Sequence, residues 1–229
     1  MKYIQLFLFF IFITPLSSEE GRLGRDSNDY KYNSLGLSLV QTEDTGLGVN
    51  LSFSLPGSLY ITLERKAEGV DVEYESFDRI VNAARIGVHT GIGDLLSSIS
   101  AKGVNLKIKN VFDVYAEIGI KSTSIEGDIN SFSEDDAQAN VITGIRFGDS
   151  NGWEGKIFVD FSKESEITQR QCLSEVCLTV LEYILEEETD QKYGAGVLFN
   201  INNKSAITFD ILSSKVLDTS LKIGYQLNF

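Results

Sequence analysis

The chain ends with the stretch DTSLKIGYQLNF, residues 218–229, in which two kinds of side chain alternate. Apolar side chains occupy every second position, at Leu221, Ile223, Tyr225, Leu227 and Phe229. The positions between them carry Ser220, Lys222, Gly224, Gln226 and Asn228. Because successive side chains of a strand point to opposite faces, this spacing predicts a β-strand with one apolar and one polar face.

The same alternation recurs in nine earlier segments. Their alternating apolar or small positions fall within 35–39, 47–55, 59–63, 84–90, 112–120, 139–147, 153–161, 193–201 and 207–211. None of these positions is charged, although 23% of the chain is charged, and the opposite parity is rich in acids and bases. Ten segments of about 9–11 residues with this pattern are typical of tilted strands that cross a membrane.

These segments predict an all-β fold, an antiparallel up-and-down transmembrane β-barrel. In hydrocarbon every backbone donor and acceptor must be paired, which only helices and closed barrels achieve. We expect ten strands, with eight or twelve as alternatives; the twelve-strand version adds residues 70–77 and 103–110 as a further pair. A soluble sandwich or lipocalin-like barrel, with its apolar face turned inward, also alternates and is the competing interpretation.

The predicted connections alternate in length. Short ones are expected at 56–57, 148–152 and 202–204, and longer ones near 67–82, 125–137 and 166–190. The stretch 92–110 should be short by this rule and is not, so it either holds a helical turn or two around residues 95–101 or hides part of the further strand pair.

The N-terminus predicts export. After Lys2, a nearly unbroken apolar run reaches Ile13, followed by Ser17, Ser18 and two acids. This is a secretory signal pattern, and the run is shorter than the roughly 20 residues of a spanning helix. We therefore expect a cleaved signal peptide over 1–18, a flexible segment over 19–29 and the barrel over 30–229.

Charge and cysteine content narrow the function classes. A net charge of −13 and a pI of about 4.5 argue against nucleic-acid binding. Cys172 and Cys177 are a possible disulfide in an exported chain, which would cross-link a surface loop over 166–190. Within that loop, part of residues 178–187 is expected to extend the strands beyond the membrane. One cysteine pair is weak evidence for a metal, and no metal or cofactor is implied.

The polar parity predicts a lumen network of acids and bases. Its expected members are Glu64, Lys66, Arg85, Asp113, Glu117, Lys121, Arg146, Glu154, Lys156, Asp160, Asp210 and Lys222. They either pair and fill a narrow interior or line a thin pore. Because barrels of about eight strands are just filled by side chains, ten strands favour the filled or very narrow lumen.

His89 is the single histidine and lies on the polar parity near the expected periplasmic end of its strand. A catalytic role would need a partner base or nucleophile beside it. We expect a lumen histidine hydrogen-bonded to its neighbours and no enzyme activity.

The final stretch LKIGYQLNF, with the alternating strands over 30–229 and the signal pattern, resembles small Gram-negative outer-membrane β-barrel proteins, the OmpA-like/OmpW-like class. The resemblance implies location in the cell outer membrane, with lipid and lipopolysaccharide as surroundings. It also implies that Ile223, Tyr225 and Phe229 carry a signal read by the barrel assembly machinery. With both termini in the periplasm, an aromatic rim is expected at Phe53, Phe112, Phe147, Trp153, Phe199 and Phe229.

The expected function is a structural or surface-interaction role with a narrow or filled lumen. A narrow porin-like channel for small solutes is the alternative, and an outer-membrane enzyme comes third.

Overall fold

Strands dominate the computed structural model, which describes residues 30–42, 44–72, 75–92, 112–127, 131–133, 137–149, 152–170 and 182–229. The strands are β1 Ser34–Gln41, β2 Thr45–Ser54, β3 Leu59–Val72, β4 Glu75–Gly91, β5 Phe112–Gly127, β6 Ser131–Ser133, β7 Gln138–Gly148, β8 Trp153–Arg170, β9 Glu182–Asn202, β10 Ser205–Ser213 and β11 Ser220–Asn228.

The sheet closes into a ring of ten long strands. Each long strand pairs antiparallel with the next in the chain, and β6 pairs only with the end of β5. The first and last strands close the ring, with Leu35 opposite Leu227 and Leu39 opposite Ile223. The predicted ten-stranded antiparallel barrel is therefore confirmed.

The eight- and twelve-strand alternatives are wrong. Residues 70–77 add no separate strand, because Val70 pairs with Phe77 as β3 and β4 approach their connection. Residues 103–110 and most of the stretch 92–110 lie outside the described residues.

Tight turns join β2 to β3, β7 to β8 and β9 to β10 at one end of the barrel, called here the turn end. The β2–β3 turn contains Gly57 and the β7–β8 turn follows Gly148, with φ values of 83° and 107°. Glycine suits these positions because its missing Cβ removes the steric penalty of positive φ. The first described residue, Tyr30, and the last, Phe229, also lie at this end: the Tyr30 hydroxyl donates to the Gly148 carbonyl and the Phe229 amide to that of Asn33.

The apolar parity of the long strands faces outward. Leu47, Ile118 and Leu37 are 67%, 66% and 58% exposed, and most other apolar residues of this parity are also well exposed. A water-soluble barrel would bury such residues, whereas a lipid-facing band requires them outside. The soluble interpretation with its apolar face inward is therefore wrong. In the described part of the chain, no helix is long and apolar enough to cross a membrane.

The strands on the loop end, opposite the turns, are longer than expected. β3 continues to Val72 and β4 begins at Glu75. In the same way, β8 continues to Arg170 and β9 begins at Glu182. The described residues of the long connections predicted near 67–82 and 166–190 are thus paired strand. Near 125–137, β5 continues to Gly127 and the short β6 covers Ser131–Ser133, within the connection that leads to β7. A β-ladder can continue past the lipid, where its outward positions need not be apolar.

Candidate functional site: the barrel lumen

Inward side chains occupy the lumen in three layers and leave two cavities between them. The upper layer, toward the loop end, contains Lys66, Glu68, Arg79, Lys121, Glu164 and Lys192. The middle layer contains Glu64, Arg85, Glu117, Lys156, Asp210 and Lys222. The lower layer, at the turn end, contains His89, Asp113, Arg146 and Glu154, and is covered by residues 30–33, called here the strap.

The upper layer is centred on Glu164 of β8, which is fully buried. Its carboxylate forms ion pairs with Lys121 at 2.6 Å, with Arg79 and with Lys192. Arg79 also binds Glu68 at 2.7 Å. These contacts join β3, β4, β5, β8 and β9 across the lumen, so the carboxylates do not face the desolvation penalty of unpaired buried charges.

Apolar side chains accompany the upper layer toward the loop end. Phe77 and Ile125, each 2% exposed, point inward at or beyond the level of Arg79. An ion that moves from the upper layer toward the loop end would therefore lose hydrating water against these apolar side chains, which opposes its passage.

The middle layer is paired but wetter. Arg85 bridges Glu117 at 2.7 Å and Glu64 at 2.8 Å, and Lys156 binds Asp210 at 2.9 Å. The side chains of Lys156, Lys222 and Glu64 are 36%, 23% and 21% exposed, far more than the 0–6% of Arg79, Lys121, Glu68, Glu164 and Lys192. Two cavities adjoin this layer: one of about 230 Å³ extends up to the residues of the upper layer, and one of about 180 Å³ extends down to Tyr32, Arg146 and Glu154. Such polar cavities are suited to water.

The lower layer combines two acid–base pairs. His89 Nδ1 lies 3.1 Å from Asp113 Oδ2, and Arg146 binds Glu154 at 2.5 Å. Asp113 Oδ2 also accepts a hydrogen bond from the Tyr32 hydroxyl at 2.8 Å. The His89 side chain is 2% exposed and the Asp113 side chain 4%, so this pair is dry, whereas Arg146 and Glu154 border the cavity of about 180 Å³.

The strap inserts two tyrosine rings into the lumen at this level. Tyr32 stacks on His89 with ring centroids 3.9 Å apart and lies 4.4 Å from the Tyr60 ring. The Arg146 guanidinium lies 5.0 Å from the Tyr30 ring centroid and 4.8 Å from that of Tyr32, both cation–π distances. Burial raises the pKa of Tyr30 to about 12 and raises that of Tyr32 well above its usual value.

All twelve charged residues predicted for the lumen point inward, but not all pair with one another. Lys66 and Lys121 bind Glu68 and Glu164, which the prediction did not contain. Asp160 accepts a hydrogen bond from Asn140 at 2.5 Å, and Asp113 meets His89 and Tyr32. Glu68, Arg79, Glu164 and Lys192 were missed; each continues the inward parity of its strand beyond the apolar segment that marked the strand.

The predicted aromatic residues lie together at the turn end. Phe53 contacts Phe229 with ring centroids 5.8 Å apart, and Phe147 contacts Phe112 at 6.4 Å and Trp153 at 6.2 Å. Ile223 and Tyr225 project outward on β11 and are 42% and 45% exposed. A role of these residues in assembly stays a prediction. Cys172, Cys177 and residues 1–29 lie outside the described residues.

A closed antiparallel barrel with an apolar outer band, an aromatic rim and a charged lumen defines the class of the protein, an outer-membrane β-barrel. The described residues contain no group of histidine, cysteine and carboxylate side chains able to hold a metal ion.

No protein-family model matches the chain, and no curated protein matches it. Solved outer-membrane barrels are similar to it. A KdgM porin is 7% identical with a TM-score of 0.40, over 86% of this chain and 99% of its own. The N-terminal β-barrel domain of Pseudomonas aeruginosa OprF is 11% identical with a TM-score of 0.33, over 87% and 99%. A NanC porin is 7% identical with a TM-score of 0.36, over 86% and 99%. At such low values the likeness says nothing about a solute or partner of this chain.

Proposed function

We propose that the protein is a closed outer-membrane barrel with a structural or surface-interaction role, exported by a signal peptide over residues 1–18. The observation that carries this proposal is a buried, paired group of charges at each end of the lumen, the cluster around Glu164 and the His89–Asp113 pair under the strap. The Glu164 side chain in the upper layer is fully buried, and the His89 side chain in the lower layer is 2% exposed. A steady pore would need a wet path through both layers.

Opening either layer would be costly. Withdrawing Glu164 would leave Arg79, Lys121 and Lys192 close together without their shared carboxylate. Breaking one partner out of a buried ion pair costs about 3–5 kcal/mol, so the closed arrangement dominates the population.

The surface role follows from the uneven height of the barrel wall. β3, β4, β8 and β9 have 14, 17, 18 and 21 residues, whereas β1, β2, β10 and β11 have 8–10. The two long hairpins, with β5 beside the first of them, continue past the short strands β1, β2, β10 and β11 on the loop end, which faces outward if the turn end is periplasmic. Their surroundings in this proposal are outer-membrane lipid and lipopolysaccharide.

A narrow channel for small solutes is the second candidate. The wet middle layer supports it, because the partly exposed Lys156 and the adjoining cavities of about 230 and 180 Å³ leave room for water. Each cavity is smaller than the roughly 300 Å³ at which pockets for drug-sized ligands begin.

Catalysis is not part of the proposal. The pair of His89 and Asp113 resembles a base with its orienting carboxylate. Tyr32 stacks on the imidazole and donates to that carboxylate, so the strap occupies the space a substrate would need.

Conductance in planar lipid bilayers tests the closed-barrel proposal. The refolded protein, shown to be a barrel by a heat-modifiable gel shift, is added under conditions in which an open porin gives steady current steps. We expect no steady openings. Large, long-lived openings of the wild-type protein would overturn the closed barrel and favour the channel.

A further inference from the structure

We propose that the strap, residues 30–33, is a displaceable plug whose release exposes the lower lumen to the periplasmic side. This goes beyond the closed-barrel proposal, because it identifies one of the two closures as a movable element.

The strap is inside the barrel without being part of its wall. Residues 30–33 belong to no strand, and the ladder that closes the ring begins at Ser34 opposite Asn228. Backbone hydrogen bonds of the strap lie at its end, where the Phe229 amide donates to the Asn33 carbonyl, and at Lys31, whose carbonyl accepts from Arg146. Withdrawing the strap therefore breaks no β-ladder.

Side chains anchor the strap to widely separated parts of the ring. Tyr30 donates to the Gly148 carbonyl at 3.3 Å, and Lys31 donates to the Asn203 carbonyl at 2.8 Å. Tyr32 donates to Asp113 on β5 and packs on Tyr60 of β3 and His89 of β4. Four residues thus span much of the turn end, which is the geometry of a plug.

The lumen wall below the strap has partners of its own. When the strap leaves, Arg146 stays paired with Glu154 and His89 stays paired with Asp113. Tyr60 also retains its 2.9 Å hydrogen bond to Glu117. Every charged group of the lower layer therefore remains paired. The cost of displacement comes from the contacts of the two tyrosines and Lys31 and from the hydrogen bonds that Asn33 accepts from the Ser54 and Phe229 amides.

Displacement would open an existing cavity. Lys31 and Tyr32 line the cavity of about 180 Å³, together with Thr208, Tyr60, Glu117 and Gln226. With the strap removed, this polar space would connect to the periplasmic side, while the upper layer around Glu164 would still block passage through the membrane. The released state is thus a chamber open at one end.

Thiol accessibility tests the plug in the full-length barrel. Thr208→Cys is introduced in a Cys172→Ser, Cys177→Ser background as the sole thiol, and its reaction with a membrane-impermeant maleimide is timed in detergent micelles. We expect the added pair Tyr30→Ala and Tyr32→Ala to accelerate labelling about tenfold or more, because labelling follows the population of the open form. Tyr193→Ala, which removes an exposed outward tyrosine, is the matched control and should leave the rate unchanged.

Equal labelling rates in the wild-type and double-alanine barrels, with both showing the heat-modifiable shift, would overturn the plug. If the double-alanine variant does not assemble, Tyr30→Phe with Tyr32→Phe takes its place, since it keeps both rings and removes both hydroxyl hydrogen bonds. A rise of about threefold or more supports the plug and no rise overturns it. Steady wild-type conductance would contradict the closed-barrel proposal without changing this result, so the two failures are distinguishable.

Discussion

Arg79 on β4 and Glu164 on β8 form an ion pair across the lumen, although β5 and β7 separate their strands in the ring. The Arg79 side chain is 1% exposed and that of Glu164 is fully buried. The pair connects the two long hairpins above the middle layer. The ion pair therefore stabilises the position of one hairpin relative to the other across the lumen, which the hydrogen bonds between neighbouring strands alone do not determine.

Glu164→Gln should destabilise the barrel strongly. The amide cannot neutralise Arg79, Lys121 and Lys192, and we expect a loss of about 3–5 kcal/mol in the free energy of unfolding. Urea titration of the protein in lipid vesicles measures this change. Glu188→Gln, at the exposed position opposite Glu164 on β9, is the control and should cost less than about 0.5 kcal/mol. Similar costs at both positions would contradict a special role for the cross-lumen cluster.

Gly87→Ala should also destabilise the barrel, through overpacking. A Cβ at Gly87 would lie 2.2 Å from Cζ of Tyr60, whose ring is itself held by Tyr32 and a hydrogen bond to Glu117. We expect a cost of about 1–3 kcal/mol in unfolding free energy. Gly152→Ala is the control, because its Cβ would have no neighbour nearer than 3.8 Å. A Gly87→Ala variant as stable as wild type would show that the Tyr60 ring can move freely.

The alternation of residues predicted the membrane-facing part of each strand but not its length. On β3 the outward positions beyond Leu63 are Arg65, Ala67 and Gly69, so the apolar signal stops while pairing with β4 continues. Water beyond the lipid removes the requirement for apolar residues without ending the ladder. Glu68 and Arg79 were missed for this reason.

The strap was missed for a different physical reason. Tyr30 and Tyr32 share the inward parity of Ser34, but they stand next to a polar stretch and pair with no strand. Their contacts with His89, Asp113 and Arg146 join side chains that are separated by between 57 and 116 positions in the sequence. Only the closed ring brings these groups together, so no local pattern could identify the plug.

The pH dependence of stability should reveal the burial of Tyr30. Burial raises its pKa to about 12, whereas the unfolded chain ionises near its ordinary value of 10. The stabilising contribution is complete below about pH 10 and is lost as pH rises to about 12, by about 2 kcal/mol at most. Urea unfolding at about pH 9 and about pH 11.5 measures the loss. Tyr30→Phe cannot ionise, so its stability should fall less over this range; an identical fall in both proteins would contradict the assignment.

Phe229→Ser tests whether the terminal aromatic serves in assembly or only in packing. Its ring contacts Phe53 with centroids 5.8 Å apart, so both substitutions Phe229→Ser and Phe53→Ser remove the same edge-to-face pair. That shared loss should cost each finished barrel about 0.5–1.5 kcal/mol beyond the lost apolar contact. If residues 221–229 are the signal for the barrel assembly machinery, Phe229→Ser alone should slow the appearance of heat-modifiable barrel in cells. Pulse-chase measurement of that rate separates the two roles, and equal rates for Phe229→Ser and Phe53→Ser would leave Phe229 as a rim residue only.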